Sequence, residues 1–196
     1  MNRTFYISRN SNFTLVSSAH LEIESTSLTG DFPALGELQE LQYIYLRNNM
    51  LSANLHFIKS GNLTKLSSLW LDGNNISHTI PTEIGLLTSL SSLSIANANL
   101  TGTIPTEFGL LTNLHRLWLF GNQLTGKIPS QLDQLVNLEV LKLEDNSMKG
   151  HIPTGLCTIF EQSVIQNKEL SADCEHVKCD CCTPCSSARL SNETRV

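Results

Sequence analysis

The feature that most constrains this chain is an internal repeat of about 24 residues. The middle residue of a short apolar pattern recurs along the sequence with steps of 23, 25, 24, 24 and 24 residues. A regular period between about 20 and 50 residues is typical of solenoids and propellers, in which each copy buries its apolar face against its neighbours. The six middle residues are Ile23, Leu46, Leu71, Ile95, Leu119 and Leu143.

The pattern inside each copy predicts its local structure. Apolar residues two apart, such as Leu117 and Leu119, put their side chains on one face of a short strand. Apolar residues three apart, such as Phe108 and Leu111, suit a 3₁₀ turn or a short helix on the return segment. Consecutive parallel strands require a right-handed crossover. We therefore expect an α/β repeat fold, a right-handed solenoid with a concave parallel sheet of about six strands and convex 3₁₀ or short helical turns.

A polar position after each strand predicts how the turns are hydrogen-bonded. An asparagine side chain there can turn inward and bond backbone groups that burial would otherwise leave unpaired. Ala98 replaces this asparagine in the fourth copy, so we expect a water, Asn97 or Asn99 to bond that turn. The copies that carry the asparagine do so at Asn49, Asn74, Asn122 and Asn146.

The second copy departs from the others in its return segment. It has Ala53 and His56 where its neighbours have glycine and proline, and it is one residue longer. We expect the backbone to depart as well, with a bulge in the convex loop from 53 to 62.

The motif LxxLxLxxNxLxGxIP resembles the plant-type leucine-rich repeat. Its final part is formed by Leu100, Gly102, Ile104 and Pro105 and recurs one repeat later. Similar arrays occur in receptor-like kinase ectodomains, in polygalacturonase-inhibiting proteins and in proteins of diatoms and related algae. The resemblance covers about residues 18–156 and implies a horseshoe-shaped array, but it does not specify an activity.

Four segments follow from where the repeats begin and end. Residues 1–17 are an N-terminal cap or a truncated edge, and 18–156 are the leucine-rich-repeat array of six repeats. Residues 157–185 are a cysteine-rich C-terminal cap, and 186–196 are a polar tail expected to be disordered. The first segment lacks the cysteine pair that the usual extracellular cap of this family carries, and no signal peptide is visible. We expect a truncated gene or an internal fragment.

All six cysteines lie after residue 156, and both disulfides and a zinc site use such clusters. Four of them fall within seven residues, which leaves no loop of the kind that separates the cysteine pairs of zinc knuckles. We expect disulfides, with the connectivity open because six cysteines allow 15 pairings. This segment also resembles the end cap of algal leucine-rich-repeat proteins. The candidates are Cys157, Cys174, Cys179, Cys181, Cys182 and Cys185.

Charge and motifs argue against several classes of function. The 13 Lys and Arg against 18 Asp and Glu give a net charge of −5, which does not suit a nucleic-acid binder. No apolar run approaches the roughly 18 residues that a membrane span requires. The sequence has no phosphate-binding glycine loop, zinc-protease motif, nucleophile elbow or kinase signature. We expect no enzyme activity, no cofactor and no metal.

Sequons and cysteines together favour an extracellular or cell-surface location. N-x-S/T sequons permit glycosylation in exported proteins, and cysteine-dense ends are typical of an oxidising compartment. The glycosylation candidates within the repeats are Asn62, Asn75 and Asn99.

The outward positions of the predicted strands supply the candidate binding surface. Their central column contains both tryptophans of the chain, Trp70 and Trp118, with Ser94 between them. Small residues around Ser94 predict a flat slot about 10 Å wide with aromatic walls. Exposed aromatics beside arginine are typical of binding hot spots, although the same pattern is compatible with a purely structural role. The candidate ligand-binding residues are Tyr43, Tyr45, Trp70, Asp72, Ser94, His115, Arg116, Trp118 and Phe120.

Two classes of function remain open from the sequence. The first is an extracellular ligand-binding module that recognises a protein, peptide or glycan on its concave face and is a fragment of a receptor-like protein. The second is a structural or cell-surface adhesion protein without a discrete small ligand, in which regular convex serines and threonines offer a polar surface. The sequence does not identify the ligand.

Overall fold

The computed structural model describes residues 19–24, 27–30, 35, 38–52, 54–161, 168–173, 175–179 and 181–182. Its main sheet is entirely parallel, and strands that are neighbours in the sheet follow one another along the chain. This arrangement confirms the predicted leucine-rich-repeat solenoid. The seven strands are His20–Glu22, Tyr43–Tyr45, Ser68–Trp70, Ser92–Ser94, Arg116–Trp118, Val140–Lys142 and Glu169–Ser171.

The return segments carry short helices and flank strands. The 3₁₀ helices are His56–Ser60, Thr82–Leu86, Thr106–Leu110 and Ser130–Gln134, and an α-helix spans Thr154–Glu161. A three-stranded flank sheet joins Thr101–Gly102, Gln123–Gly126 and Ser147–Met148. Two further pairs join Thr29–Gly30 with Met50–Leu51, and Gly150–His151 with Val177–Lys178.

The core is a stack of apolar columns that runs through the repeats. Leu69, Leu93 and Leu117 stand opposite one another in adjacent strands, and each is fully buried. Phe108 on the convex side is the largest fully buried side chain among the described residues. Since burying a leucine or phenylalanine contributes about 1.5–3 kcal/mol relative to exposure, these columns supply the main stabilisation of the array.

The seventh strand comes from the cysteine-rich segment and not from a repeat. Leu170 stands opposite Leu141 and is 2% exposed, so it extends the leucine column past the sixth copy. Asp173 then accepts the backbone N–H groups of Asp145 and Asn146, each at 2.8 Å. The segment therefore covers the apolar and polar groups that the last repeat of a solenoid would otherwise expose.

The described residues of this C-terminal region form two disulfides. Cys157 in the α-helix pairs with Cys181, and Cys179 pairs with Cys182. These bonds confirm the expected oxidation of four of the six cysteines. No group of three or more His, Cys, Asp or Glu side chains in the described part of the chain is arranged to hold a metal ion. Cys174 and Cys185 lie outside the described residues, as do the predicted N-terminal segment 1–17 and the tail 186–196.

The predicted asparagine ladder is present. The side-chain amide nitrogen of Asn74 donates to the carbonyl oxygens of Leu46 at 2.8 Å and Leu71 at 2.9 Å. Its Oδ1 accepts the N–H of Leu51 at 3.1 Å. One side chain thus bonds the turns of two successive repeats, the second and the third. Asn122 bonds the turns of the fourth and fifth repeats in the same way.

The copy that lacks the asparagine is bonded differently from the expectation. The Ala98 N–H donates to Oδ1 of Asn122 at 3.0 Å, so the next repeat supplies this bond. Asn99 instead donates its side-chain amide to Asn75. In other repeats a ladder asparagine accepts the backbone N–H of the residue equivalent to Ile76, such as Leu51 or Leu100. Ile76 is fully buried, and its N–H has no hydrogen-bond partner within the described residues.

The return segment of the second copy has fewer residues before its 3₁₀ helix and more after it than the return segment of the third copy. The Ile58 N–H bonds Leu55 as the Ile84 N–H bonds Pro81, so Ile58 and Ile84 hold equivalent positions. The path from Leu51 to Ile58 is 58 − 51 = 7 residues, against 84 − 76 = 8 in the third copy. The extra residues lie after the helix, where Gly61 adopts a φ of 67°.

We predict that Ala98→Asn stabilises the array by about 0.5–1.5 kcal/mol, because the new amide oxygen can accept the buried Ile76 N–H. Urea denaturation measures the change in the free energy of unfolding. Ala98→Val, which is similar in size but has no acceptor, is the matched control and should not stabilise. An unchanged or lower midpoint for Ala98→Asn would contradict the prediction.

We also predict that loss of the Cys157–Cys181 bond frays the last repeat selectively. The bond closes a loop with a sequence separation of 24 residues, and such a disulfide typically contributes about 2–4 kcal/mol. Hydrogen exchange of a Cys157→Ser/Cys181→Ser double variant should speed up at Leu141 and Leu143 and stay unchanged at Leu69. Equal acceleration at all three positions would show that the bond stabilises the array as a whole.

Candidate functional site

The concave sheet places the predicted binding residues in columns. The register pairs Tyr45 with Trp70, Trp70 with Ser94, and Ser94 with Trp118 across four adjacent strands. Neighbouring strands lie about 4.8 Å apart, so side chains at one register position stand side by side. Any ligand on this face therefore meets a fixed array of side chains.

Four aromatic side chains of these columns form a continuous surface, which we call the aromatic ridge: Tyr43, Tyr45, Trp70 and Trp118. Ring centroids are 6.3 Å apart for Tyr43 and Tyr45, 4.5 Å for Tyr45 and Trp70, and 6.4 Å for Trp70 and Trp118. The two indoles meet at 87°, which is the edge-to-face arrangement that aromatic quadrupoles favour. All four residues are half-buried, so the ridge keeps surface open to solvent.

The slot predicted between the two tryptophans is wrong. Ser94 does lie between them in the sheet and is 6% exposed. The indoles lean over it, however, and their centroids are 6.4 Å apart where the slot required about 10 Å. The contact buries aromatic surface and adds about 0.5–1.5 kcal/mol of pair interaction, so an open slot is the less stable arrangement.

Asp72 organises the floor beneath the ridge. Its carboxylate accepts the Ser94 hydroxyl and the Ala96 N–H, the latter at 3.0 Å. Both partners are buried residues of the next repeat. Asp72 therefore serves the internal hydrogen bonding of the sheet.

Trp70 is held by polar contacts from both neighbouring repeats. Its indole N–H donates to the Ser92 hydroxyl at 2.9 Å. The guanidinium carbon of Arg47 lies 4.5 Å from the ring centroid, which is a cation–π contact. Arg47 in turn donates two hydrogen bonds to the Glu24 carboxylate, at 2.8 and 3.2 Å.

The charge of Arg47 is stabilised by its surroundings. The hydrogen bonds to Glu24 raise the pKa of Arg47, partial burial lowers it, and the nearby carboxylates of Glu24, Asp72 and Glu22 raise it further. The net effect is upward, and a guanidinium is effectively always protonated in proteins. The cation over Trp70 is therefore a permanent part of the ridge.

The remaining predicted residues lie outside the ridge contacts. Arg116 has a side chain that is 51% exposed, and its nearest carboxylate oxygen belongs to Glu139 at 3.8 Å. The Nδ1 atom of His115 lies 2.8 Å from the carbonyl oxygen of Asn113, so His115 bonds the return segment. Phe120 is half-buried and makes no ring contact with the ridge among the described residues.

Three contributors to the ridge were not singled out from the sequence: Arg47, Glu24 and Ser92. Arg47 follows Tyr45 by two residues on the same face and is the diagonal neighbour of Trp70. Because diagonal neighbours lie within reach of long side chains, this spacing could have predicted the contact of Arg47 with Trp70 from the sequence. His20 also joins the aromatic group, with its ring 5.3 Å from that of Tyr45.

The three glycosylation candidates are exposed on the surface. Asn62, Asn75 and Asn99 all have solvent-accessible side chains, as N-glycosylation requires. The Asn99 amide donates to Oδ1 of Asn75 at 2.9 Å, so these two sequons are adjacent on successive repeats. Their modification stays a prediction.

The repeats match a known family. A family model described as Leucine Rich Repeat matches residues 65–87, 89–111 and 113–135. Each match covers one copy of the repeat. Comparison with curated protein sequences gives no significant match.

Solved structures of plant receptor kinases share this fold. The Arabidopsis receptor kinase HAESA, solved in complex with the peptide hormone IDA and the co-receptor SERK1, is 35% identical with a TM-score of 0.70, over 81% of this chain and 26% of that chain. The plant peptide hormone receptor RGFR1 in complex with RGF2 is 38% identical with a TM-score of 0.65, over 74% and 24%. Pollen Receptor Kinase 3 is 28% identical with a TM-score of 0.67, over 90% and 79%.

The described fold is that of a leucine-rich-repeat solenoid, and three of its repeats match the Leucine Rich Repeat family model. The repeats are consistent with the plant type and are similar to those in the ectodomains of plant receptor kinases. The chain spans about a quarter of the length of HAESA and RGFR1. Within the described ranges, none of the helices has the length and apolar character needed to cross a bilayer.

We predict that Ser92→Ala destabilises the protein by about 0.5–1.5 kcal/mol, because the indole N–H of Trp70 loses its acceptor. Ser68→Ala is the matched control, since Ser68 is a buried serine at the same register position one strand away. Thermal denaturation followed by tryptophan fluorescence measures both variants. Equal effects of the two substitutions would mean that the bond to Trp70 contributes nothing.

Proposed function

We propose that this protein is an extracellular, non-enzymatic module of a receptor-like protein that binds a protein or peptide ligand across the aromatic ridge. The observation that carries the proposal is the continuity of Tyr43, Tyr45, Trp70 and Trp118 in the middle of the concave sheet. Tryptophan, tyrosine and arginine are the residues enriched in binding hot spots. A half-buried aromatic surface also offers apolar area at little cost in side-chain entropy, since each ring is already held by its neighbours.

The comparison with receptor ectodomains supports a ligand-binding role. Two of the similar structures are complexes with peptide hormones, and both are plant receptors. The two receptor chains are each about four times as long as the part of them that this chain matches. The same repeat geometry here presents an aromatic surface of its own, which makes recognition of a polypeptide the most economical interpretation.

The packing of Trp70 favours a polypeptide over a glycan. A sugar ring binds an indole by lying flat against it, and Trp70 is already contacted by the Tyr45 ring and the Arg47 guanidinium, each at 4.5 Å. Peptide side chains do not need a free ring face, because they can pack against edges and between neighbouring rings. The ridge is therefore better suited to apolar side chains of a protein or peptide.

Among the cations that the structure describes beside the ridge, Arg116 is the most accessible to a ligand. Arg47 and Lys142 are engaged in short ion pairs, at 2.8 Å with Glu24 and 2.7 Å with Glu169. Arg116 is more exposed than either and lies 3.8 Å from its carboxylate neighbour. We expect Arg116, next to Trp118, to bind an acidic group of the ligand.

An extracellular location is supported by the cysteines. Both described disulfides need an oxidising compartment to form and persist. The exposed sequons at Asn62, Asn75 and Asn99 are compatible with passage through a secretory pathway.

We predict that Trp118→Ala weakens ligand binding by more than about fivefold, because it removes apolar surface at one end of the ridge. The probe is a set of random linear peptides displayed on phage and selected on the intact protein. Affinities of the selected peptides for each variant are then measured by titration calorimetry. Leu110→Ala is the matched control, because Leu110 is an exposed apolar residue of a convex 3₁₀ helix.

Failure to enrich any peptide, or enrichment of peptides that bind Trp118→Ala as tightly as the parent, would contradict the proposal. Arg116→Ala should weaken the selected peptides that carry an acidic group and leave the others unchanged. Uniform weakening of all peptides by Leu110→Ala would place their binding on the convex side.

A further inference from the structure

A cleft opens on the flank between the second and third repeats, where the repeat template predicts close stacking. Its volume is about 590 Å³, and none of its lining residues belongs to a concave strand. Sites for small ligands usually occupy about 300–1,000 Å³. The cleft is thus of ligand size and separate from the aromatic ridge.

The cleft coincides with a break in the flank sheets. Thr101–Gly102 pairs with the next flank strand, and Thr79 joins this row through a bridge to Thr101. The flank strand of the second repeat, Met50–Leu51, pairs with Thr29–Gly30 instead. On the flank, the described residues of the second and third repeats share the bond from the Asn75 N–H to the Leu51 carbonyl and no strand pairing.

The sequence of the second copy accounts for this break. The segment from Leu51 to Ile58 is one residue shorter than its counterpart in the third copy. Leu55, and not His56 as the sequence alignment suggested, therefore stands before the helix at the position that Pro81, Pro105 and Pro129 hold in the next three copies. Proline before the helix fixes an extended backbone at Pro81, with a φ of −72° and a ψ of 147°. Without the proline, the 3₁₀ helix His56–Ser60 begins differently from the helix Thr82–Leu86 that follows it.

Polar and cationic groups line both sides of the cleft. The second repeat supplies His56 and Lys59, and the third supplies His78 and Glu83. Both histidines and the lysine are exposed. Lys59 and Glu83 cancel in charge, so the lining is neutral with neutral imidazoles and carries 1 + 2 − 1 = +2 with both protonated. Hydroxyl and amide groups complete the lining at Asn54, Thr79, Thr82 and Thr101.

We propose that this cleft binds an acidic saccharide. Its carboxylate or sulfate groups pair with Lys59 and the imidazoles of His56 and His78, and its hydroxyls bond the threonine hydroxyls. Asn54 is prepared for this role, because its Oδ1 accepts the His56 N–H at 3.0 Å and leaves the amide NH₂ free to donate. This site goes beyond the proposed function, since it uses a different surface and a different class of ligand.

The chemistry of the lining selects this class of ligand. A metal ion does not fit, because no group of three or more candidate ligand side chains in the described regions is arranged around one point. A simple inorganic anion would use the cations but would not engage the hydroxyls of Thr79 and Thr101 or the amide of Asn54. A saccharide that carries acidic groups satisfies both sets of groups within one cleft.

Binding should strengthen as the pH falls. Histidine changes its charge between about pH 5 and 8, and protonation adds positive charge opposite an anionic ligand. The titratable groups that face one another across the cleft are His56 and Lys59 on one side and His78 and Glu83 on the other. The fourth repeat contributes only Thr101 to the lining, which does not titrate in this range.

The test uses the full chain and three trisaccharides in titration calorimetry at pH 5 and pH 8. They are trigalacturonate, its neutral methyl ester, and a sulfated galactose trisaccharide, so that carboxylate and sulfate sources are distinguished. We expect at least one acidic saccharide to bind at pH 5, at least tenfold more tightly than the ester, and more weakly at pH 8. Lys59→Ala should weaken binding about threefold, and a His56→Ala/His78→Ala variant should lose the pH dependence.

Lys127→Ala and His151→Ala are matched controls, because both residues are exposed on the same flank outside the cleft. Both control variants should bind the acidic saccharides like the parent. Trp118→Ala should do so as well, which separates this test from the proposed function of the aromatic ridge. Absence of binding by both acidic saccharides, equal binding of the ester, or equal weakening by the control variants would each overturn the proposal.

Discussion

The hydrogen bonds that join the backbone of one repeat to the next hold every other feature of this protein in place. Each concave strand pairs in parallel with its neighbour, and ladder asparagines such as Asn74 bond the turns of two repeats at once. These groups are buried, so a slip of one residue would leave several of them unpaired at about 1–3 kcal/mol each. The register is therefore fixed, and it lines up Tyr45, Trp70 and Trp118 without any contact designed for that purpose.

The period of the sequence is sufficient to predict the strands and their buried residues, because Leu69, Leu93 and Leu117 follow directly from it. It cannot predict how far a side chain leans. The contact of Trp70 with Trp118 over Ser94 depends on side-chain rotamers and on the Ser92 hydroxyl, neither of which the period contains. The strand Glu169–Ser171 could not be predicted from the period either, because this segment of the cap pairs with the sheet without carrying the repeat motif.

Departures from the template have different consequences on the two faces. On the concave side, substitutions at exposed positions leave the backbone path unchanged, because the apolar columns that set it point inward, and the aromatic ridge lies at such outward positions. On the flank, the change of length before Ile58 and the leucine in place of proline at Leu55 alter the backbone itself. A solenoid tolerates such a local change because each repeat contacts only its neighbours, and the stacking resumes at the third copy.

Circular dichroism of the intact protein tests the contact between the indoles most directly. Two indoles with centroids 6.4 Å apart and planes at 87° couple strongly enough to produce an exciton couplet in the ultraviolet. The fixed register predicts a couplet in the native protein that disappears in both Trp70→Phe and Trp118→Phe, with the remaining spectrum of the fold intact. A native spectrum without the couplet would show that the tryptophans stand apart, and it would contradict the existence of a continuous ridge.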